Sequence, residues 1–180
     1  PVTLTERAVE LWPREVAYRM MHADLYVRNG RFASGEDTFA DVLELNPANE
    51  RAALHLALTR IAQGDTASAI ATLDFMGEDA EAADLGLAYA LAGQPLRAIE
   101  ILEPAARADD AKARVRQNLA LAYALAGDWQ KARVTAAQDV SPAELDARME
   151  QWAAFAQPPT SYDQVASQLC VTPAADPGHP

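Results

Sequence analysis

Residues 85–93 read LGLAYALAG and residues 119–127 read LALAYALAG, 34 residues apart and differing only at Gly86 against Ala120. A fixed period of this size means one supersecondary unit repeated along the chain. Within the first copy Leu85, Ala88, Tyr89 and Ala92 recur at helical spacing and make a single apolar stripe. Gly93 ends that helix, because glycine reaches the left-handed conformation of a helix C′ residue without a Cβ penalty. Gln94-Pro95 then restarts a helix, with proline at the first helical position, where its missing N–H does no harm. Ala98 is small where the second helix crosses the first. Leu119, Ala122, Tyr123, Ala126, Gly127, Asp128 as N-cap and Ala132 form the equivalent set. The expected fold is all-α, built from stacked helix hairpins.

The same frame extends backwards. Turn glycines stand at 30, 64, 93 and 127, with spacings of 34, 29 and 34. Ala23, Tyr26, Phe39, Val42 and Pro47 fall in frame in the first repeat, and Leu56, Ala57, Ala69, Leu73 and Met76 in the second. The second repeat is expected to end early at Gly77, which accounts for the short spacing. Four hairpins are therefore placed at about 14–48, 49–78, 79–112 and 113–140, after a lead segment at 1–13 in which Thr5–Leu11 is a short helix closed off by Pro13. Pro104 falls inside a predicted second helix and should kink or break it. Ser141-Pro142-Ala143-Glu144 is a capping box that opens a further helix, within 141–157, whose face of Leu145, Met149, Trp152 and Phe155 covers the open end of repeat four. Residues 158–180 hold a brief helix at about 162–169 and a Pro-rich tail expected to be disordered.

Composition narrows the function. The net charge of −11 opposes binding to phosphate backbones and anionic lipid surfaces. No run of 18 apolar residues occurs, and Glu6, Arg7, Glu10, Arg14 and Glu15 interrupt the start, so no signal-peptide stretch is read there. The chain begins at Pro1, from which a preceding segment, such as an export signal, is expected to have been removed. The single Cys170 gives no disulfide and no multi-thiol metal site, and reads as a small apolar residue. His22, His55 and His179 lack second ligands at metal spacing, and phosphate-binding glycine loops and GxSxG are absent. Paired acids such as Asp109-Asp110 and the Glu78, Asp79, Glu81 group read as helix-dipole partners in water. The chain is accordingly read as no enzyme, with no cofactor and no metal.

In these residues the chain resembles the tetratricopeptide repeat (TPR) family over positions 16 to about 140. His22 departs from the usual Leu, Gly35 from the usual Ala, and the fourth repeat lacks the closing Pro. The resemblance implies a right-handed α-solenoid of about four hairpins plus a C-terminal capping helix, whose first helices line a concave face. On that face it puts Ala17, Met20, Asp24 and Val27, then Arg51, Leu54, Leu58 and Ile61. Ala80, Ala83, Leu87 and Ala90 follow, and then Arg114, Gln117, Leu121 and Ala124. The carboxylate clamp of chaperone-binding members is missing, since Met20, Asp24, Ala80 and Asp84 stand where its Lys, Asn and basic pair would be. What remains is an apolar strip through Leu54, Leu58, Ala83, Leu87, Leu121 and Ala124, with Arg51 and Arg114 at its margin. Such a strip suits an apolar segment or amphipathic helix of a partner protein, or else one of the chain's own termini.

RVRQNLALAYALAGDWQKAR (114–133), SPAELDARMEQWAAFAQ (141–157) and YDQVASQL (162–169) further resemble the C-terminal half of TadD-like lipoproteins of the bacterial tight-adherence (Flp/Tad) pilus machinery. That resemblance implies a pilotin-like partner of the pilus secretin, held in the periplasm at the outer membrane through a lipidated N-terminal Cys. Cys170 stands at the wrong end for that anchor, which would belong to a segment ahead of Pro1. The alternatives are a peptide-binding adaptor or co-chaperone module in the cytoplasm or periplasm, and an appendage that packs on a larger enzyme.

Overall fold

The computed structural model describes residues 2–76 and 80–156, together with Val171, Ala174 and Asp176. Among the described residues there are ten helices and no strand, an all-α arrangement of the solenoid type. The helices fall into two compact units, one of residues 1–77 with 160–180 and one of residues 78–159. The first unit holds α1 (Val2–Leu11), α2 (Val16–Arg28), α3 (Phe32–Leu45), α4 (Glu50–Ala62) and α5 (Thr66–Asp74). The second holds α6 (Ala82–Leu91), α7 (Pro95–Arg107), α8 (Ala113–Leu125), α9 (Trp129–Ala136) and α10 (Pro142–Phe155).

Each hairpin turn is closed in the same way. Gly30, Gly64, Gly93 and Gly127 all take positive φ, between 73° and 84°. The N–H of the residue after each glycine then donates to the carbonyl five residues back: Arg31 to Tyr26, Asp65 to Arg60, Gln94 to Tyr89 and Asp128 to Tyr123, each at 2.9 Å. Each glycine N–H donates to the carbonyl three residues back, as from Gly30 to Val27 at 2.9 Å. This is the Schellman closure, which satisfies carbonyls that a helix end otherwise leaves bare. The following helix starts at once, with Asp65 and Asp128 accepting from the Ser68 and Lys131 amides at 3.1 Å. Tyr26, Tyr89 and Tyr123 each carry a cation over the ring, from Arg31 at the turn and Arg97 of the next helix at 4.2 Å and from Lys131 of the next helix at 5.2 Å.

Small residues let the helices of a hairpin approach. Ala23, Ala57, Ala88 and Ala122 on the first helices are fully buried, as are Ala69, Ala98 and Ala132 on the second. Gly35, a departure from the family pattern, sits where a Cβ would meet Val27 Cγ2 at 2.7 Å. His22, another departure, is buried: its Nδ1 lies 2.8 Å from Thr5 Oγ1 and its ring lies 4.1 Å from that of Tyr26. Thr5 belongs to α1, which packs on α2 and begins at Val2, three residues earlier than expected.

Pro104 does not break its helix. α7 runs without interruption from Pro95 to Arg107. The proline costs Glu100 its carbonyl partner, but Glu100 and Pro104 are both exposed, and water replaces that donor cheaply. α5 is nine residues long against fourteen for α3, in keeping with the short spacing between Gly64 and Gly93. α10 carries the full capping box between Ser141 and Glu144, buries Leu145 and Trp152, and packs on α8 and α9. Asp109 and Asp110 lie in the turn before α8 and not in its first turn. Gly77, Glu78, Asp79, the helix expected at about 162–169, Cys170 and His179 lie outside the described residues.

Gly86 gives the sharpest packing test. A Cβ there would come within 2.4 Å of Leu102 Cγ, and Leu102 is fully buried and cannot swing aside. Gly86→Ala should therefore lower stability by about 1–3 kcal/mol through overpacking, although alanine would gain about 1 kcal/mol of helix propensity on an open helix. Urea denaturation of the two chains measures the difference.

Candidate partner-binding faces

In the first unit, α2 and α4 present the face predicted to hold a partner. Between them lies a cavity of about 240 Å³ lined by Asp24, Val27, Arg28, Phe39, Arg51, His55, Leu58, Thr59 and Val171. Asp24 organises its polar side. Its carboxylate accepts from His55 Nδ1 at 2.9 Å and from Arg51 at 2.7 Å. Burial alone would raise the Asp24 carboxyl, but the His55 hydrogen bond and charge, with those of Arg51 and Arg28, outweigh it and hold the group below its ordinary value. Phe39 meets the His55 ring edge-on at 5.2 Å. The cavity is thus apolar through Val27, Phe39 and Leu58 and polar along one rim.

The residues predicted for this face divide. Asp24, Arg51 and Leu58 line the cavity, and Leu54 is half-buried on α4. Met20 is a correction: it lies in the core with Ala23, Phe39, Val42, Ala52 and Leu56 and presents little to solvent. The apolar stripe of α2 faces α3 and α4 at that turn, so Met20 is used in packing.

In the second unit, α6 and α8 are neighbours, and Asn118 on α8 donates to the Ala83 carbonyl of α6 at 2.8 Å. The apolar strip predicted there is mostly closed. Ala83, Ala90, Leu121 and Ala124 are buried, while Leu87 stays half-buried. Alanines bring helices close, and the close approach covers the alanines themselves. Gln117 is engaged as well: its amide donates to the Ala136 carbonyl at 3.3 Å, and its oxygen accepts from Arg148 at 3.2 Å.

The two marginal arginines are paired to the preceding hairpin. Arg51 reaches back to Asp24, and Arg114 reaches back to Glu81 at 2.7 Å and Asp84 at 2.9 Å. They therefore clasp neighbouring hairpins more than they offer charge to a ligand. His55 and Phe39 were not read as face residues from the sequence. The repeat frame held the signal for His55, since it lies 31 residues after Asp24, one repeat less a helical turn, and so faces it from the next hairpin.

With this geometry in place, one comparison with known families supports the repeat type for part of the chain. Residues 20–74, from within α2 to the end of α5, match the family model for the tetratricopeptide repeat. That stretch is similar to a tetratricopeptide-repeat segment. The TPR match ends before the second unit, whose hairpins α6–α7 and α8–α9 repeat the same glycine turn and the same tyrosine–cation contact. No curated protein matches the chain. TPR arrays act as protein-interaction scaffolds, and this supports a binding role for the chain.

Asp24 yields a pH test. With its folded value below the ordinary 3.8, the unfolded chain holds the more protons between the two values. The stabilisation is thus complete above that ordinary value and is lost as pH falls through the folded one. Asp24→Asn should be less stable than the unaltered chain near neutrality, and the gap between the two should close as pH drops below 3.8. Urea denaturation from pH 6 down to about pH 3 follows that closure.

Proposed function

We propose that the chain is a non-catalytic interaction scaffold of the Flp/Tad pilus machinery, a pilotin-like protein whose first-helix faces hold a helix or apolar segment of the secretin. The observation that carries the binding role is the half-apolar cavity between α2 and α4, bordered by Leu58, Val27 and Phe39 and rimmed by the Asp24–His55 pair. Its size suits one or two side chains of a docked segment, and the polar rim fixes their orientation. Support for the pilus assignment comes from the TadD-like sequence at 114–133, 141–157 and 162–169. Periplasmic anchoring at the outer membrane follows from that same likeness. A precursor carrying a signal peptide that ends in a small-residue–Cys motif would bear it out.

Leu58 and Leu87 keep part of their side chains open, one on each unit. Leu58→Glu combined with Leu87→Glu should weaken capture of the co-expressed secretin at least about tenfold, because a carboxylate would be desolvated against an apolar segment. Circular dichroism should show unchanged helicity. Undiminished secretin capture by the double variant would sink the face model, and failure of the unaltered chain to capture the secretin would sink the pilus assignment.

A further inference from the structure

Four turns open a second helix, and the one before α7 uses Gln94 with Pro95 and no side-chain cap. Before α5 and α9 stand Asp65 and Asp128, and each caps the amide of the third helical residue. Before α3 stands Arg31, which gives no side-chain cap. Yet the amide of the third residue of α3, Ser34, is satisfied. It donates to a carboxylate oxygen of Asp176 at 2.8 Å, from 142 residues away. The Ser34 hydroxyl donates to the other carboxylate oxygen at 2.6 Å, and Arg31 Nε donates to that oxygen at 3.3 Å. Arg31 also donates to the Ser34 hydroxyl at 3.1 Å, so the three groups form a closed set. Ser34 is fully buried, and the Asp176 side chain is 12% exposed. Ala174 adds a backbone bond, its N–H donating to the Gly30 carbonyl at 3.3 Å. Five residues before Asp176, Val171 forms part of the wall of the cavity between α2 and α4.

We propose that the C-terminal segment marked by Val171, Ala174 and Asp176 is a resident occupant of the first unit's binding face, latched by Asp176 as the missing N-cap of α3. The proposal rests on reading the α2–α4 face as a protein-binding surface. Val171 takes the place of a partner's apolar side chain at the cavity, and Asp176 takes the place of a carboxylate at the helix N-terminus, where the backbone dipole and Arg31 both favour negative charge. A partner segment entering this face must displace the resident one. The one best matched carries an apolar side chain followed five residues later by Asp or Glu. Because the resident segment is tethered, it competes at a high effective concentration and sets a threshold on partner binding.

Both halves are testable in the full chain. Asp176→Ala should raise hydrogen exchange at the Ser34 amide about fivefold or more, as loss of an N-cap does, while the Ser68 amide, capped by Asp65, stays as it was. A fluorescent peptide of residues 168–180 carrying Cys170→Ser should bind the Asp176→Ala chain about tenfold more tightly than the unaltered chain, whose face is held by its own segment. Unchanged exchange at Ser34 overturns the latch, and equal peptide affinity for the two chains overturns the competition. Neither readout involves a secretin, so this inference and the pilus assignment fail separately.

Discussion

The structure depends first on one backbone event, the left-handed glycine that ends each first helix. With φ between 73° and 84°, the chain reverses within two residues and the next amide returns to the carbonyl five residues back. The tightness of that reversal sets the second helix directly against the first. A small residue, Ala or Gly, is then needed at the crossing, and in three of the hairpins a tyrosine one turn before the glycine comes under the arginine or lysine that follows. The short apolar stripes that this geometry demands explain why so much of the apolar content is alanine. A larger side chain at the crossing would push the hairpin apart at a cost that no turn could recover.

Stacking one hairpin on the next uses different chemistry. Arg51 on Asp24, Arg60 on Glu36, and Arg114 on Glu81 and Asp84 tie one hairpin to the next, while Arg116 on Asp139 closes the fourth hairpin on itself. The exposed pair of Arg114 with Glu81 contributes little by itself. The value of these pairs lies in register: each fixes which turn of one helix faces which turn of the next. In the first unit this arrangement sets Asp24 against His55 at the rim of a cavity, and in the second it sets Asn118 against the Ala83 carbonyl. The two faces therefore differ in character, although they come from the same repeat. The first holds a cavity of mixed polarity with Val171 of the C-terminal segment in its wall. The second is largely closed by its own alanines.

Much of the hairpin architecture was legible in the residue order. The turn glycines, the proline that opens α7, the capping box of α10 and the aspartate caps of α5 and α9 are local signals, each acting within about five residues. The candidate faces were legible only in part. Position in the repeat says which way a residue points from its own helix but not how near the neighbouring helix comes. That nearness moved Met20 into the core and covered Leu121 and Ala124. It also left Pro104 harmless, since the carbonyl it deprives lies on an exposed side of α7.

The sequence by itself determined the unit of construction, because a glycine turn, a small-residue stripe and a helix cap are written in neighbouring residues. Only the tertiary structure decided what fills the first unit's face. The bond between Asp176 and the start of α3 spans 142 residues and has no periodicity, and Arg31 alone does not reveal that a cap will arrive from the far end of the chain. Short-range order follows from propensity and pattern. A long-range partner is selected by which unsatisfied amide and which carboxylate the folded helices bring within reach.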